Sequence, residues 1–245
     1  MKKTKIEWAE ETWNPTIGCT KVSAGCKNCY AEIMAKRLRA MSMPYYENGF
    51  EFRVIPERLD QPLKKKKPTL FFVNSMSDLF HEKMPIIYLD KVFEVINSTK
   101  QHIYQILTKR EERMNDYLEK RSIPKNVWLG VTVEDIKSGL QRIEFLRNLD
   151  VSVKFLSIEP LLEDLGDFEL KGIDWVIVGG ESGPNARPMK QEWVMKIKKQ
   201  CNKSGVPFFF KQWGTWGADM QKRDKKRNGR ILLGKTWDEY PKYGL

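Results

Sequence analysis

The stretch VWLGVTVEDIKSGLQRIEFLRNLDVSVKFLSIE, residues 127–159, reads as one strand–helix–strand unit. Its opening run, VWLGVTV, is almost continuously β-branched and apolar, as a strand covered on both faces must be. Asp135 then stands where a helix N-cap belongs, and Ile136, Leu140, Ile143 and Leu146 recur at helical spacing on one face. A second buried-type run, VKFLSIE at 153–159, follows. Two such strands joined by a helix imply parallel pairing through a right-handed crossover.

The same alternation extends in both directions. A first strand is expected around Thr12 to Gly18, and TLFFVNS (69–75), IYQILTK (103–109), WVIVG (175–179) and VPFFFKQ (206–212) read as further buried strands. Ile86, Leu89, Phe93 and Ile96 keep one helix face after Pro85; Trp193, Ile197 and Cys201 keep another, closed by Gly205. The series predicts an α/β fold, a partial (β/α)6–7 TIM-type barrel of parallel strands over residues 1–213. Two pieces stand outside it. Residues 42–68, with Asn48-Gly49 as a turn and Phe50 to Val54 as a strand, predict an inserted hairpin. Residues 214–245 predict a basic C-terminal extension packed on the barrel, with Asn228-Gly229 turning a second hairpin before Ile231.

The chain has 245 residues, 41% of them hydrophobic, enough to bury a substantial core. No apolar run approaches the length of a membrane span, and the start MKKTKIEWAEETW has no apolar leader core, so a cytoplasmic protein is expected. Forty-three Lys and Arg against 32 Asp and Glu give a net charge of +11, which makes phosphate-bearing partners plausible. Within residues 211–245 there are nine Lys and Arg against four Asp and Glu, net +5, with Trp213 and Trp216 placed to stack a base. The run Lys64 to Lys67 precedes a strand and belongs at the opposite end, as a solvated charge run.

Cytoplasmic thiols stay reduced, so clustered cysteines read as metal chemistry before disulfides. Cys19, Cys26 and Cys29 fall in GCTKVSAGCKNCYAE, and Cys201 is the one other cysteine. Three thiolates suffice for three irons of a four-iron cluster and leave the fourth iron open, whereas structural zinc takes a fourth protein ligand. His81, His102 and Cys201 are the candidates for that fourth position, His81 foremost because it lies in a loop after a strand. Cys201 sits at a helix core position and His102 at a strand start. A zinc- or cluster-stabilised nucleic-acid-binding protein without turnover is therefore the alternative to an enzyme.

In a parallel barrel the strand C-termini and the loops after them face the active site. The cysteine loop follows the first strand and would hang over that mouth. The other strand ends bring Asn74, Ser75, Ser77 and Asp78, then Lys109 and Arg110, Thr132 and Glu134, Ser157 and Glu159, Gly179 to Ser182, and Lys211 to Trp213.

WNPTIGCTKVSAGCKNCYAE (13–32), FVNSMSDLFH (72–81), ILTKR (106–110), WLGVTVE (128–134), FLSIEPL (155–161) and VIVGGESGPNARP (176–188) together resemble the radical S-adenosylmethionine (SAM) superfamily. The likeness is to its phage- and mobile-element-associated branch of three-cysteine proteins and covers residues 5 to 214. Six residues separate the first two cysteines where the superfamily commonly has three, Asn28 replaces the usual aromatic before the third, and Asn74 to Asp78 stand where a Gly-Gly-Glu usually follows the second strand.

The resemblance implies a 4Fe-4S cluster on Cys19, Cys26 and Cys29, bound SAM, and reductive cleavage of SAM to a 5'-deoxyadenosyl radical. On it, Tyr30, Ser75, Ser77, Asp78, Thr132, Glu134, Ser157, Glu159, Gly179 and Gly180 become candidate cofactor contacts, with Ser75 and Asp78 for the SAM amine. Lys109, Arg110, Glu181, Lys211, Gln212 and Trp213 become candidate substrate contacts. The implied partners are an electron donor such as flavodoxin or ferredoxin, a nucleic acid or nucleotide-like substrate undergoing modification or repair, and a partner protein. No substrate is named by the resemblance.

Overall fold

The computed structural model describes Thr4 and residues 6–242. Its centre is an open, curled sheet of seven parallel strands: β1 (Glu11–Trp13), β4 (Leu70–Val73), β5 (Ile103–Thr108), β6 (Val127–Thr132), β7 (Val153–Ile158), β8 (Trp175–Gly179) and β9 (Phe208–Gln212). They lie side by side in that sequence order. The first and last strands do not pair, which makes the fold the expected partial barrel. Helices α2 (Ile86–Ser98), α3 (Glu111–Leu118), α4 (Ile136–Arg147) and α5 (Gln191–Ser204) lie between successive strands, and α1 (Tyr30–Ala40) follows the cysteine loop.

Alternating side chains divide the core in two. Phe71, Leu129, Val176, Phe208 and Phe210 pack in the larger core with Leu89, Ile143 and Ile197 of the helices. Their sequence neighbours Phe72, Trp128, Ile177 and Phe209 join Trp8, Phe155 and Trp175 in a second core on the concave face. There Trp8 meets Phe72 edge-on at 4.6 Å and Trp175 at 6.2 Å. Gly130 makes room for this plug, because a Cβ there would sit 2.5 Å from the Phe155 ring. Counting every second residue toward the strand C-termini, the concave face changes character: Trp128 gives way to Gly130, Thr132 and Glu134; Phe155 to Ser157 and Glu159; Phe209 to Lys211. The base is aromatic and the mouth is polar.

The expected first strand is broken after Trp13 by Asn14-Pro15, since proline cannot donate to a ladder. Its second half becomes β2 (Thr16–Ile17), which pairs antiparallel with β3 (Arg53–Val54). The insert therefore supplies one arm of a two-stranded ribbon, and its partner precedes the cysteine loop instead of lying within the insert. In the C-terminal segment, Asn228-Gly229 does not turn a hairpin. Asp224 accepts from the Lys226 N–H at 2.9 Å and caps the four-residue helix α6 (Lys225–Asn228), and Leu232 bridges Lys235 across Leu233-Gly234 instead. Beyond it, the Phe210 N–H donates to the Trp237 carbonyl and Phe209 bridges Asp238, which covers the free edge of β9.

Candidate metal centre

Cys19, Cys26 and Cys29, with Thr20, Lys21, Glu32 and Phe50, line one cavity of about 190 Å³. All three thiols are half-buried, and Cys201 is buried in α5, where burial pushes its thiol up to about 12. Among the described residues, no three His, Cys, Asp or Glu side chains close on a single metal-ion position. Cys29 is the N-cap of α1, and no side chain caps that end. The first-turn N–H groups and the helix dipole therefore favour negative charge beside it. Burial, then Asp78, pushes the Cys19 thiol up to about 11, while the Arg110 guanidinium, 3.7 Å from its sulfur, opposes them.

The loop between the cysteines is pinned at nearly every polar residue. Gly18 donates its N–H to the Met76 carbonyl at 2.9 Å and accepts from the Ser77 hydroxyl at 2.6 Å. Gly18 is itself required: its φ is +77°, and a Cβ would lie 2.0 Å from the Glu51 carbonyl oxygen. Thr20 donates to Glu82 at 2.7 Å and accepts from Arg110 at 2.7 Å. His81 lies 3.2 Å from the same hydroxyl and stacks on Phe52 at 4.2 Å. Lys21 pairs with Glu32 of α1 at 3.0 Å. Ser23 donates to Glu134, and Asn28 donates to Glu181 at 3.0 Å and to the Asn185 carbonyl at 2.8 Å.

Several strand-end residues expected to meet a cofactor are thereby committed to the frame. Asp78 accepts from the Phe80 and Lys109 N–H groups and from Thr108 within 3.1 Å, so its lone pairs are engaged inside the protein. Glu134 is fully buried and accepts from Arg142 at 2.6 Å, and Arg142 also holds Glu111 at 3.0 Å. Burial pushes the Glu181 carboxyl up, but hydrogen bonds from Arg187 and Asn28 outweigh it and hold the group below the usual range. Ser75 donates to Asn14 at 3.2 Å, and the Tyr30 hydroxyl donates to the Ser75 carbonyl. Gly180 packs on Trp213, whose carbonyl oxygen would be 1.9 Å from a Cβ. Trp213 is not available for stacking: it is buried, edge-on to Phe210, and its indole donates to the Ile231 carbonyl at 2.8 Å.

The concave mouth keeps the remaining candidates. Lys109 reaches Thr132 at 3.2 Å, and Lys211 pairs with Glu159 at 2.8 Å, with Gln212 3.2 Å from the same carboxylate. Ser157 is buried beside Thr132 in register, and Gly179 lies against Glu159, 3.3 Å from where its Cβ would be. Three buried atoms around this rim, Asn74 Nδ2, Arg110 Nε and Gln212 Oε1, have no hydrogen-bond partner among the described residues. Thr20, Ser23 and Glu82 were not singled out by their sequence, because their partners lie far along the chain.

None of the zinc candidates completes the cysteine set. His81 Nδ1 accepts from the Lys83 N–H at 3.1 Å, which leaves the proton on Nε2 toward Thr20. Its pKa is lowered to about 4 by burial first and Arg110 second. His102 lies at the opposite end of β5, with Nε2 3.0 Å from the Lys65 carbonyl.

The family described as "Protein of unknown function (DUF5131)" matches residues 3–241. The chain belongs to this family. No curated protein matches it. Among solved structures it is similar to spore photoproduct lyase complexed with dinucleoside spore photoproduct, at 13% identity and a TM-score of 0.47 over 82% of this chain and 63% of the other. It is similar also to a mutant of that lyase with bound AdoMet and dinucleoside spore photoproduct, at 12% identity and a TM-score of 0.45 over 80% and 62%. The chain thus spans less than two thirds of the length of these structures. Among the described residues, no helix is long and apolar enough to cross a membrane.

Proposed function

We propose that the chain is a radical SAM enzyme whose 4Fe-4S cluster is held by Cys19, Cys26 and Cys29. The observation that carries the reading is that these three thiols ring one cavity on a loop fixed to the polar mouth of a partial barrel. A tetrahedral zinc needs all its ligands within about 2.3 Å of one point. Three thiolates that share one cavity, with His102 at the far end of β5 and Cys201 buried in α5, suit a polynuclear cluster, in which each binds its own iron and one iron stays open. When bound, the cluster would supply one electron from a donor of the flavodoxin or ferredoxin class to SAM, breaking its 5'-carbon–sulfur bond to give methionine and a 5'-deoxyadenosyl radical.

The protein's own part is binding, orientation and exclusion of water. The uncapped N-terminus of α1 and Arg110 stabilise negative charge at the thiolates. The partly exposed Glu159–Lys211 pair presents both charges to a zwitterionic ligand in the mouth, with the Thr132 and Ser157 hydroxyls buried behind it. Asn74, Arg110 and Gln212 bring buried polar atoms for which such a ligand would supply partners. Below them the aromatic plug around Trp8 closes the base to water. The basic charge balance favours a nucleic acid or nucleotide-like substrate, modified or repaired.

Anaerobic reconstitution of single-cysteine variants tests the ligand set. Cys19→Ala, Cys26→Ala and Cys29→Ala each lose cluster absorbance and 5'-deoxyadenosine formation together, while Cys201→Ala retains both. A Cys26→Ala protein that still holds iron and cleaves SAM would refute the assignment.

A further inference from the structure

A second cavity, of about 410 Å³, opens between the loop after β8 and the C-terminal segment. Its walls are Ser182, Gly183 and Pro184 on one side and Thr215 and residues 222–225 on the other. That volume lies in the range of small-ligand sites, about 300–1,000 Å³. We propose that this cavity binds a phosphate of a nucleic-acid chain and so anchors the substrate beside the cysteine loop. The assignment rests on the nucleic-acid reading of the substrate given above.

Charge is the first argument. Residues 222–227, KRDKKR, hold five cations and one carboxylate. Arg223 is neutralised by Asp219, at 2.6 and 2.8 Å, and the Asp224 carboxylate faces inward onto its own helix as a cap. Lys222 is different: its amine donates at 2.6 Å to the Pro184 carbonyl, a neutral acceptor that leaves the positive charge uncompensated. Lys225 has a carboxylate, Glu7, only at 3.9 Å. The cavity walls carry Lys222, Arg223 and Lys225 against Asp224, a net positive charge beside two hydroxyls, Ser182 and Thr215, and among the described residues no ion pair compensates Lys222 or the exposed Lys226 and Arg227 that follow in the chain.

Position is the second. Pro184 and Asn185 are consecutive, and their carbonyls point the loop at two partners: Pro184 holds Lys222 of the basic wall, and Asn185 holds Asn28 between Cys26 and Cys29. Gly183 meanwhile donates its N–H to Thr215 at 2.9 Å, which ties the two walls together. A single loop therefore separates the basic cavity from the cysteine loop. A chain fixed by one phosphate here passes its next units toward the mouth.

The run Lys64 to Lys67 provides an internal comparison, because it is equally basic and lies at the other end of the strands. Lys66 and Lys67 are exposed, as is Lys222, whereas Lys225 is half-buried. Binding of a fluorescein-labelled oligothymidylate to the full-length protein is measured by anisotropy over a salt series. Lys222→Gln/Lys225→Gln and Lys66→Gln/Lys67→Gln remove the same net charge. The first pair should weaken binding roughly tenfold at about 0.1 M salt and flatten the slope of log K against log salt by about 1.4, two single-strand contacts' worth. The second pair should leave both nearly unchanged. Equal losses in the two pairs would mean that only net charge matters, and no loss in the first pair would mean that the cavity takes no phosphate; either overturns the site. Displacement of the oligonucleotide by inorganic phosphate or thymidine monophosphate at matched phosphate concentration would also overturn it, in favour of a small-anion site. Lys222→Gln alone, at an exposed side chain, repeats the test if the double variant misfolds. The assay needs neither SAM nor reductant. A failed anion site with SAM cleavage intact, and intact binding without SAM cleavage, are therefore separate results.

Discussion

Glu134 and Ser23 account for the six residues that separate Cys19 from Cys26. Glu134 is out of contact with water and shares Arg142 with Glu111, and its other oxygen takes the Ser23 hydroxyl. The longer cysteine interval is thus docked on the barrel wall. Gly25 belongs to the same contact, since a Cβ there would be 3.1 Å from the Glu134 side chain. Glu134→Leu leaves Arg142 with one carboxylate partner in a buried site. It should cost about 1–3 kcal/mol in urea denaturation, the loss of one partner at a buried group that keeps the other. Ser23→Ala removes one hydrogen bond and should cost about 1 kcal/mol.

His81 gives the residue scale a pH signature. Its folded pKa, about 4, lies below its ordinary 6.5 because of burial and Arg110, with Glu82 and Asp78 acting against them and Lys83 adding to them. The unfolded chain therefore binds the proton first. Above pH 6.5 both states are neutral and the full stability is present; it is lost as pH falls from about 6.5 toward about 4. The chain has two histidines, so comparison with His81→Gln isolates the effect. Denaturant midpoints should fall between pH 7 and pH 5 (about two units) in the parent and fall less in the variant. Equal slopes would contradict the assignment.

At the scale of elements, close backbone approach fixes the cysteine loop to the insert. Gly18 and Gly166 both have positive φ, +77° and +66°, but only Gly18 faces a neighbour, the backbone of Glu51 and Phe52. Gly166→Ala should cost about 1 kcal/mol from conformation alone. Gly18→Ala must also move the Glu51–Phe52 backbone that leads into β3, and should lower the thermal midpoint distinctly further. The buried strands and the faces of α2, α4 and α5 were legible in the sequence because their apolar spacing is regular. Helix α1 was not, because its buried residues are Ala31 and Ala35, too small to mark a stripe. Helix α3 is eight residues long and too short to show a period.

At the scale of the whole molecule, strand order placed the candidate residues at one mouth, and period-two alternation sorted those on the concave face. What the sequence did not show is which of them the cysteine loop would occupy. Ser23 and Glu134 are 111 residues apart, and Asn28 and Glu181 are 153 apart. Such pairings arise only when the curled sheet brings the ends of β6 and β8 under one loop, and they leave the Glu159–Lys211 pair partly exposed at the mouth above the buried Thr132 and Ser157. Reduction of the reconstituted protein with dithionite in the presence of SAM tests the central claim most directly. The account predicts a brown protein with about four irons per chain that releases 5'-deoxyadenosine and methionine. A colourless protein that binds zinc and leaves SAM intact would contradict it.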